Sequence, residues 1–222
     1  MAHCGAGSEE YLEAIYQLEE LGQEATVTAL SKWLGVTKPS VSGMMQRLAE
    51  VGLVEYEPYR PLSLTELGET QALQLLRRER LWEVLLYRHL TVPLEAVFDE
   101  ACCLEHGTSA LVEENLAAFL GHPSICPHGF PIPGEQGEVD ELALSRLTDL
   151  AAGQTGTVRR VPERPQELLA HLKQVGIKPG QRLKMLAGQV DAEAIVVEVD
   201  GRKVRLDPDV AANLLVETRQ EL

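Results

Sequence analysis

The sequence concentrates potential metal ligands in one short segment, DEACCLEH, which runs from Asp99 to His106. On a helix, residues three and four positions apart share a face, so Cys102, Glu105 and His106 would point to the same side. A thiolate, a carboxylate and an imidazole that converge form a typical ligand set for a divalent transition ion. An ordinary half-exposed amphipathic helix explains the segment equally well, because three donors on one helix rarely complete a site. The metal hypothesis therefore depends on partners elsewhere in the chain.

The composition is that of a globular protein with two or three domains, since the chain has 222 residues, of which 45% are hydrophobic. No apolar run approaches the roughly 18 residues of a membrane span, and the N-terminus lacks the features of a signal peptide. Four cysteines without a repeated spacing do not indicate a disulfide framework. We therefore expect a cytoplasmic protein without membrane contact.

The N-terminal part predicts a winged helix-turn-helix. A first helix is predicted in SEEYLEAIYQLEEL, with Ser8 as its N-cap. Two shorter helices follow, with Gly35 in the turn between them and Pro39 in the first turn of the second, where a missing N–H costs nothing. LVEYE and PLSLT then predict two short strands on either side of a Pro-Tyr-Arg-Pro turn.

The outer face of the third predicted helix and the tip of the hairpin carry short hydrogen-bonding groups and cations. Such side chains suit base edges in the major groove and phosphates. The candidate DNA-contacting residues are Thr37, Lys38, Pro39, Ser40, Ser42, Gln46, Arg47 and Arg60. The alternative is a three-helix scaffold that contacts only proteins, and we favour DNA binding over it.

The rest of the chain predicts two further domains. Residues 66–120 form a helical block whose apolar stripes indicate a dimer interface. An acidic stretch that reads as a helix or a linker extends to about Gly153, and alternating strands with one helix then indicate a small SH3-like barrel. We expect a mainly α protein with a β C-terminal domain: a winged helix-turn-helix in residues 1–70, a helical metal-binding and dimerisation domain in 71–150, and the barrel in 151–222.

A loop rich in proline and glycine, GHPSICPHGFPIPGEQGE, contains Cys126 and His128. Both residue types bind metals, but a Cys-Pro-His-Gly segment is more often simply a turn. We therefore interpret it as a turn.

The distribution of charge indicates a metal-gated DNA-binding protein. The net charge is -14, and residues 1–70 hold 11 acidic and 4 basic side chains, which weakens attraction to phosphates. The carboxylates cluster at Glu9, Glu10 and Glu13 and again between Glu79 and Glu105. Divalent cations held there would remove part of the repulsion.

Four segments in this order resemble the iron- and manganese-dependent repressors of the diphtheria toxin repressor type, which include the manganese transport regulators. They are EEYLEAIYQLEE, VTKPSVSGMMQRLAEVGLV, DEACCLEH and PHGFPIPG, and the resemblance extends over nearly the whole chain. It implies a winged helix, a dimerisation domain and an SH3-like (FeoA-like) domain. It also implies a homodimer that binds a palindromic operator when loaded with Fe2+ or Mn2+ and represses genes for metal uptake.

The resemblance also implies metal ligands. It assigns nine residues to a primary site, an ancillary site and a pair contributed by the SH3-like domain. They are Glu10, Glu13, Glu79, Glu83, Cys102, Glu105, His106, Glu163 and Gln166. Phe98 replaces a histidine of the ancillary site. Cys126 and Phe130 stand where the iron-sensing branch binds an anion, and a phenyl ring cannot hydrogen-bond one.

The implied ligand set bears on the choice of metal. Glu10 stands where the family has Met or Asp, and Glu79 stands where it has His. These carboxylates make the ligand set harder and favour Mn2+ over Fe2+. Cys102 favours Zn2+, Cd2+ or Fe2+ instead. A metalloenzyme that activates water is the alternative function, but the sequence offers no separate general base and leaves the winged helix unexplained. A redox pair of Cys102 and Cys103 is disfavoured, since adjacent cysteines on a helix cannot form an unstrained disulfide.

Overall fold

The N-terminal domain is a winged helix-turn-helix, as predicted. The structure is a computed structural model that describes residues 7–140, 142–190 and 194–218. Its first elements are the helices α1 (Ser8–Glu20), α2 (Val27–Leu34) and α3 (Lys38–Glu50), followed by an antiparallel pair of short strands, β1 (Val54–Glu55) and β2 (Ser63–Leu64). Apolar side chains from all three helices, among them Ile15, Leu30 and Met45, are fully buried together.

Local chemistry accounts for most of the helix boundaries. Gly35 ends α2 with φ 66°, a conformation that glycine adopts without strain. The hydroxyl of Thr37 caps α3 by accepting a hydrogen bond from the Ser40 amide at 3.3 Å. The prediction of Ser8 as N-cap of α1 is wrong: Gly7 holds that position without a side-chain bond, and Ser8 is the first helical residue.

The central domain consists of the long helix α4 (Glu66–Arg88) and the helices α5 (Leu94–Glu105) and α6 (Ala110–Phe119). Both α1 and α5 pack on α4, so α4 connects the DNA-reading domain to the centre of the molecule. The loop after α6 folds back and buries Phe130 and Ile132 against Leu81 and Val84 of α4.

The C-terminal domain is a curled antiparallel sheet of six strands in the order β3-β8-β4-β5-β6-β7. The strands are β3 (Ser145–Arg146), β4 (Thr155–Arg160), β5 (Arg182–Val190), β6 (Ala194–Val199), β7 (Arg202–Leu206) and β8 (Leu215–Thr218). The helices α7 (Gln166–Gln174) and α8 (Pro208–Ala212) and a 3-10 turn at Leu147–Asp149 cover its core.

The structure corrects the predicted helix or linker before Gly153. Ser145 pairs with Val216 and Arg146 with Leu215, so the sheet begins inside that stretch. A two-residue strand is too short to show an alternating pattern, which is why the sequence did not reveal it. The predicted limits at residues 70 and 150 remain predictions.

The C-terminal domain contacts the DNA-reading domain directly. Arg146 Nη2 donates to the carbonyl oxygens of Leu21 at 3.3 Å and Gly22 at 3.2 Å, at the end of α1. Arg164 Nη1 donates to the carbonyl oxygen of Trp33 at 3.2 Å. Among the described residues, no helix is long and apolar enough to cross a membrane.

Candidate metal centre

Three side chains converge where the start of α1 meets the end of α5. One ligand atom each of Glu10, Cys102 and His106 lies within 4.8 Å of the others, and we call these residues the α1–α5 group. Cys102 and His106 are four positions apart and therefore lie on one side of α5. Glu10 faces them from the first turn of α1 and is 7% exposed. The structure thus brings three of the predicted ligands together.

The imidazole of His106 is held in an orientation that presents one nitrogen to the group. Nδ1 lies 2.9 Å from Glu9 Oε2, while Nε2 lies 3.6 Å from Glu10 Oε1 and 3.6 Å from Glu105 Oε1. A carboxylate that accepts from one imidazole nitrogen fixes the tautomer and leaves the other nitrogen free to bind a metal. Glu9 belongs to the predicted acidic cluster, but its contact with His106 was not predicted, because the two residues are 97 positions apart in the chain.

Three buried carboxyl groups lie deeper between α1, α4 and α5. Glu13, Glu79 and Glu105 each offer an oxygen within 4.8 Å of the others, and we call them the buried carboxylate group. None is more than 4% exposed. Each has at least one buried oxygen without a hydrogen-bond partner among the described residues. Such oxygens are costly unless a cation or a proton occupies the space between them.

Burial and mutual repulsion raise the pKa of every acid in this region. Burial, partly offset by a hydrogen bond with Glu105, raises the pKa of Glu13 to about 8. Burial together with Glu13 and Glu79 raises the pKa of Glu105 to about 12. Burial and the neighbouring acids hold the pKa of Glu79 well above its usual value.

The same causes act on the α1–α5 group. Burial raises the pKa of Glu10 although His106 opposes the shift. Burial and the surrounding glutamates raise the pKa of the Cys102 thiol. Without a cation, Glu13, Glu105 and Cys102 therefore hold protons at neutral pH, and a divalent ion that binds them must displace those protons. The donors fit such an ion, because they offer carboxylate, imidazole and thiol groups aimed at shared space.

A third group of donors begins one turn further along α4, at Glu83. Glu83, Cys126, His128 and Glu163 are all buried, their ligand atoms lie within 4.8 Å of one another, and we call them the loop group. The interpretation of the Cys126–His128 segment as only a turn missed this convergence. No short-range pattern could have revealed it, because the partners come from α4, the loop after α6 and the segment after β4.

The remaining positions singled out by the resemblance lie elsewhere. Gln166 Nε2 donates to Asp99 Oδ2 at 2.6 Å at the surface, whereas Glu163 joins the loop group. The ring of Phe98 is covered by the guanidinium of Arg164, 4.3 Å from its centroid. The structure therefore places Glu163 in the loop group and Gln166 at the surface, and it groups Glu79 with Glu13 and Glu105.

Phe130, where the resemblance implies an anion site, packs against two arginine side chains. Arg80 is fully buried and its Nη2 lies 2.6 Å from Glu20 Oε2. The ring of Phe130 lies between the guanidinium groups of Arg80 and Arg160, at 5.2 and 5.3 Å from its centroid. Glu20 thus supplies the carboxylate that pairs with Arg80.

The predicted DNA-contacting residues lie at the surface of α3 and the wing. Thr37, Lys38, Pro39, Ser40, Gln46 and Arg47 are exposed and Ser42 is partly exposed. Arg47 Nε donates to the Gly43 carbonyl at 3.3 Å along the helix. Arg60 is exposed at the tip of the wing and lies 3.0 Å from Glu57, a contact that contributes little to stability and leaves the side chain available.

Comparison with known proteins supports the same organisation. Residues 4–62 match the iron dependent repressor N-terminal DNA binding domain, residues 65–134 match the iron dependent repressor metal binding and dimerisation domain, and residues 145–218 match the FeoA domain. The chain is 36% identical over 189 residues to the iron-dependent repressor IdeR of Mycobacterium tuberculosis. The aligned region covers 79% of this chain and 82% of that protein.

Two further proteins are similar over almost the whole chain. The diphtheria toxin repressor of Corynebacterium diphtheriae is 30% identical over 222 residues, covering 95% of this chain and 96% of that protein. A manganese-dependent transcriptional repressor solved in complex with manganese superposes with a TM-score of 0.90 at 33% identity, covering 96% of this chain and 100% of that chain.

Proposed function

The chain belongs to the iron-dependent repressor family, and we propose that it binds a palindromic operator as a homodimer when loaded with Mn2+, or with Fe2+ as the second choice. Membership of this family makes it a metal-dependent, DNA-binding transcriptional repressor. It is not an enzyme, so the metalloenzyme alternative is excluded. We further propose that it acts in the cytoplasm, where operator DNA lies, and represses genes for metal uptake.

The proposed sensor site combines the α1–α5 group with the buried carboxylate group. The single observation that carries this proposal is that both groups of three donors combine residues of α1, which belongs to the reading domain, with residues of the central domain. A bound ion would hold α1 against α4 and α5 and so fix the position of the reading head. Four carboxylates and one imidazole against one thiol favour Mn2+ or Fe2+ over Cu2+ or Ni2+.

The test is operator binding by chelator-treated protein, titrated separately with Mn2+, Fe2+, Zn2+ and Cd2+. We expect Mn2+ to tighten binding most and Fe2+ to follow. Linkage requires that operator DNA tighten Mn2+ binding by the same factor, which can be measured independently. Metal-free protein that bound the operator as tightly as the Mn2+-loaded form would contradict the proposed switch.

The exposed face of α3 is expected to read the operator. Arg47→Ala should weaken operator binding by about 1–3 kcal/mol if the guanidinium contacts a base, and it should change the base preferred at one position. If Arg47 contacts only phosphate, affinity should fall equally for all sequences and the salt slope should drop by about one. Lys178→Ala, which removes one exposed cation from the C-terminal domain, is the matched control. Unchanged binding by an Arg47→Ala, Lys38→Ala double variant would remove α3 from the interface.

The exposed apolar face of α6 is expected to form the dimer interface. Leu111 and Phe119 are 69% and 67% exposed, which is costly for large apolar side chains unless a partner covers them. A Leu111→Ser, Phe119→Ser double variant should be monomeric by sedimentation at micromolar concentration, whereas the wild type should be dimeric with metal present. Val51→Ser, at 63% exposure in the reading domain, should leave the dimer intact. A dimeric double variant would place the interface elsewhere.

A further inference from the structure

One face of the C-terminal sheet carries a group of positive charges. Successive side chains of a strand point to opposite faces of a sheet. Leu183 and Met185 of β5 and Leu206 of β7 point into the core. Exposed basic residues alternate with them on the opposite face, and we call them the basic sheet face: they are Arg182, Lys184, Lys203 and Arg205.

The strand register brings these four residues together. Lys184 on β5 lies opposite Glu198 on β6, and Glu198 lies opposite Lys203 on β7, so all three point to the same face. Arg182 precedes Lys184 by two positions and Arg205 follows Lys203 by two. With strands about 4.8 Å apart and alternate residues about 7 Å apart, the four positions form an elongated diagonal band roughly 14 Å long and 10 Å wide.

The four cations have no partners within the part of the chain that the structure describes. None of their side chains makes an ion pair or a hydrogen bond there, and Glu198 pairs with neither lysine. Arg159 on the neighbouring β4 differs, because its Nε donates to Glu217 Oε2 at 2.8 Å. The basic sheet face therefore presents uncompensated positive charge to the solvent.

The position of this charge along the chain is unusual for so acidic a protein. Residues 1–150 hold 24 acidic and 9 basic side chains, whereas residues 151–222 hold 10 acidic and 11 basic ones. A large anion that approaches the molecule therefore meets less repulsion at the C-terminal domain than elsewhere.

Protection of the sheet edge explains only half of the basic sheet face. Charged side chains on an edge strand discourage pairing with another chain. Since β7 is an edge strand, this accounts for Lys203 and Arg205. It does not account for Arg182 and Lys184, because β5 lies inside the sheet between β4 and β6.

The surroundings of the basic sheet face favour phosphate groups over a protein partner. No large apolar side chain is exposed in residues 145–186 and 194–218. A stable protein interface needs a buried centre that is rich in apolar and aromatic residues. A nucleic-acid backbone is bound largely through lysine and arginine side chains.

We propose that the basic sheet face binds phosphates of the DNA that flanks the operator on the same duplex. The proposal rests on the operator binding proposed above. The contacts of Arg146 with the end of α1, and of Arg164 with the end of α2, hold the C-terminal domain against the reading domain. The basic sheet face is therefore carried beside the reading head. Contacts of this kind add affinity without reading sequence.

The test compares two duplexes with the full-length, Mn2+-loaded protein. One contains the operator alone, and the other extends it on both sides by about 10 base pairs of arbitrary sequence, one turn of DNA. We expect the wild type to bind the extended duplex about tenfold more tightly at low salt. The salt slope should be steeper by about 0.9 for every additional phosphate that the protein neutralises.

Neutral substitutions should remove the advantage of the extended duplex and leave binding to the short one unchanged. A Lys184→Gln, Lys203→Gln double variant should lose part of the advantage, and glutamine at all four positions should abolish it. The matched control is an Arg88→Gln, Lys178→Gln double variant, which removes two exposed cations from elsewhere and should behave like the wild type.

A hydroxyl-radical footprint of the wild type gives a readout that needs no variant. Protection should extend beyond the operator on both sides. Equal affinity of the wild type for the two duplexes, as expected if the face binds an acidic protein instead, would overturn the inference. An undiminished advantage in the four-residue variant would overturn it too. In both cases the short duplex would still bind, whereas failure of both duplexes to bind would contradict the proposed function itself.

Discussion

Glu105→Gln is expected to stabilise the metal-free protein and, at the same time, to abolish the effect of Mn2+ on operator binding. Glu105 is fully buried, and its carboxyl group lies against those of Glu13 and Glu79. Burial together with Glu13 and Glu79 raises its pKa to about 12, so the folded protein without metal holds it protonated. A glutamine side chain has nearly the same shape as a protonated glutamate, and the metal-free fold should accept it.

The expected gain in stability follows from the free energy that the folded protein spends on keeping Glu105 protonated. Holding a proton on a carboxyl at pH 7.5, against a usual pKa of 4.5, costs up to about 4 kcal/mol relative to the unfolded chain. Glutamine carries no such cost, so the melting temperature of chelator-treated Glu105→Gln should rise. Glutamine cannot supply the charge that binds a divalent ion, so the metal-induced gain in operator affinity, about 5–150-fold for a typical coupling, should disappear.

The matched control is Glu100→Gln, which makes the same change on the same helix at an exposed position. It should leave both the metal-free melting temperature and the Mn2+ response unchanged. If Glu105→Gln still bound the operator more tightly on adding Mn2+, Glu105 would not be a ligand. If it lowered the metal-free melting temperature, the protonated state of Glu105 would be wrong.

The sequence predicted which potential ligands lie on one side of α5. It did not predict that they belong to two different groups of donors. The spacing of Cys102, Glu105 and His106 placed all three on one side of α5. In the structure, Cys102 and His106 meet Glu10, whereas Glu105 turns deeper toward Glu13 and Glu79. The division depends on the way α1 lies across α4 and α5, and helical periodicity within one segment contains no information about that crossing.

The sequence did not predict that the residues of the loop group meet. Glu83, Cys126 and Glu163 lie far apart in the chain, and they meet because a proline- and glycine-rich loop is pressed onto a strand of another domain. The short strand at Ser145 and the end of the sheet at Leu215 escaped prediction for a related reason, since such short strands show no alternation. The long helices and the winged domain were predictable because caps, glycines and apolar spacing define them locally.

The buried acids reduce the share of the net charge of -14 that can oppose DNA binding. The side chains of Glu10, Glu13, Glu79, Glu83, Glu105 and Glu163 are all buried in the three groups. Their charge is therefore not spread over the exposed face of α3, where Lys38 and Arg47 lie. Divalent ions bound in these groups would neutralise part of the negative charge, and that part lies in the interior rather than on the DNA-reading surface.

Raising the pH is expected to destabilise the metal-free protein and to strengthen metal binding. The folded pKa values of Glu163, Glu13 and Glu105 are raised from 4.5 to about 7, 8 and 12, chiefly by burial. Between pH 4.5 and these values, the folded chain holds protons that the unfolded chain has released. The free energy of unfolding must then fall as pH rises, by about 1.4 kcal/mol per pH unit for each proton held in excess.

The pH range over which each group stops stabilising the metal-free fold follows from the same pKa values. The contribution of Glu163 should be present below pH 4.5 and lost by about pH 7, and that of Glu13 lost by about pH 8, while Glu105 continues to act at higher pH. Divalent ions displace these protons, so Mn2+ binding should release roughly one to three protons near pH 7 and tighten as pH rises. The Mn2+-induced increase in melting temperature should therefore be larger at pH 8 than at pH 6. Chelator-treated protein whose melting temperature stayed constant or rose between pH 5.5 and 8 would contradict this account, because carboxylates already ionised in the metal-free fold would leave no protons for the metal to displace.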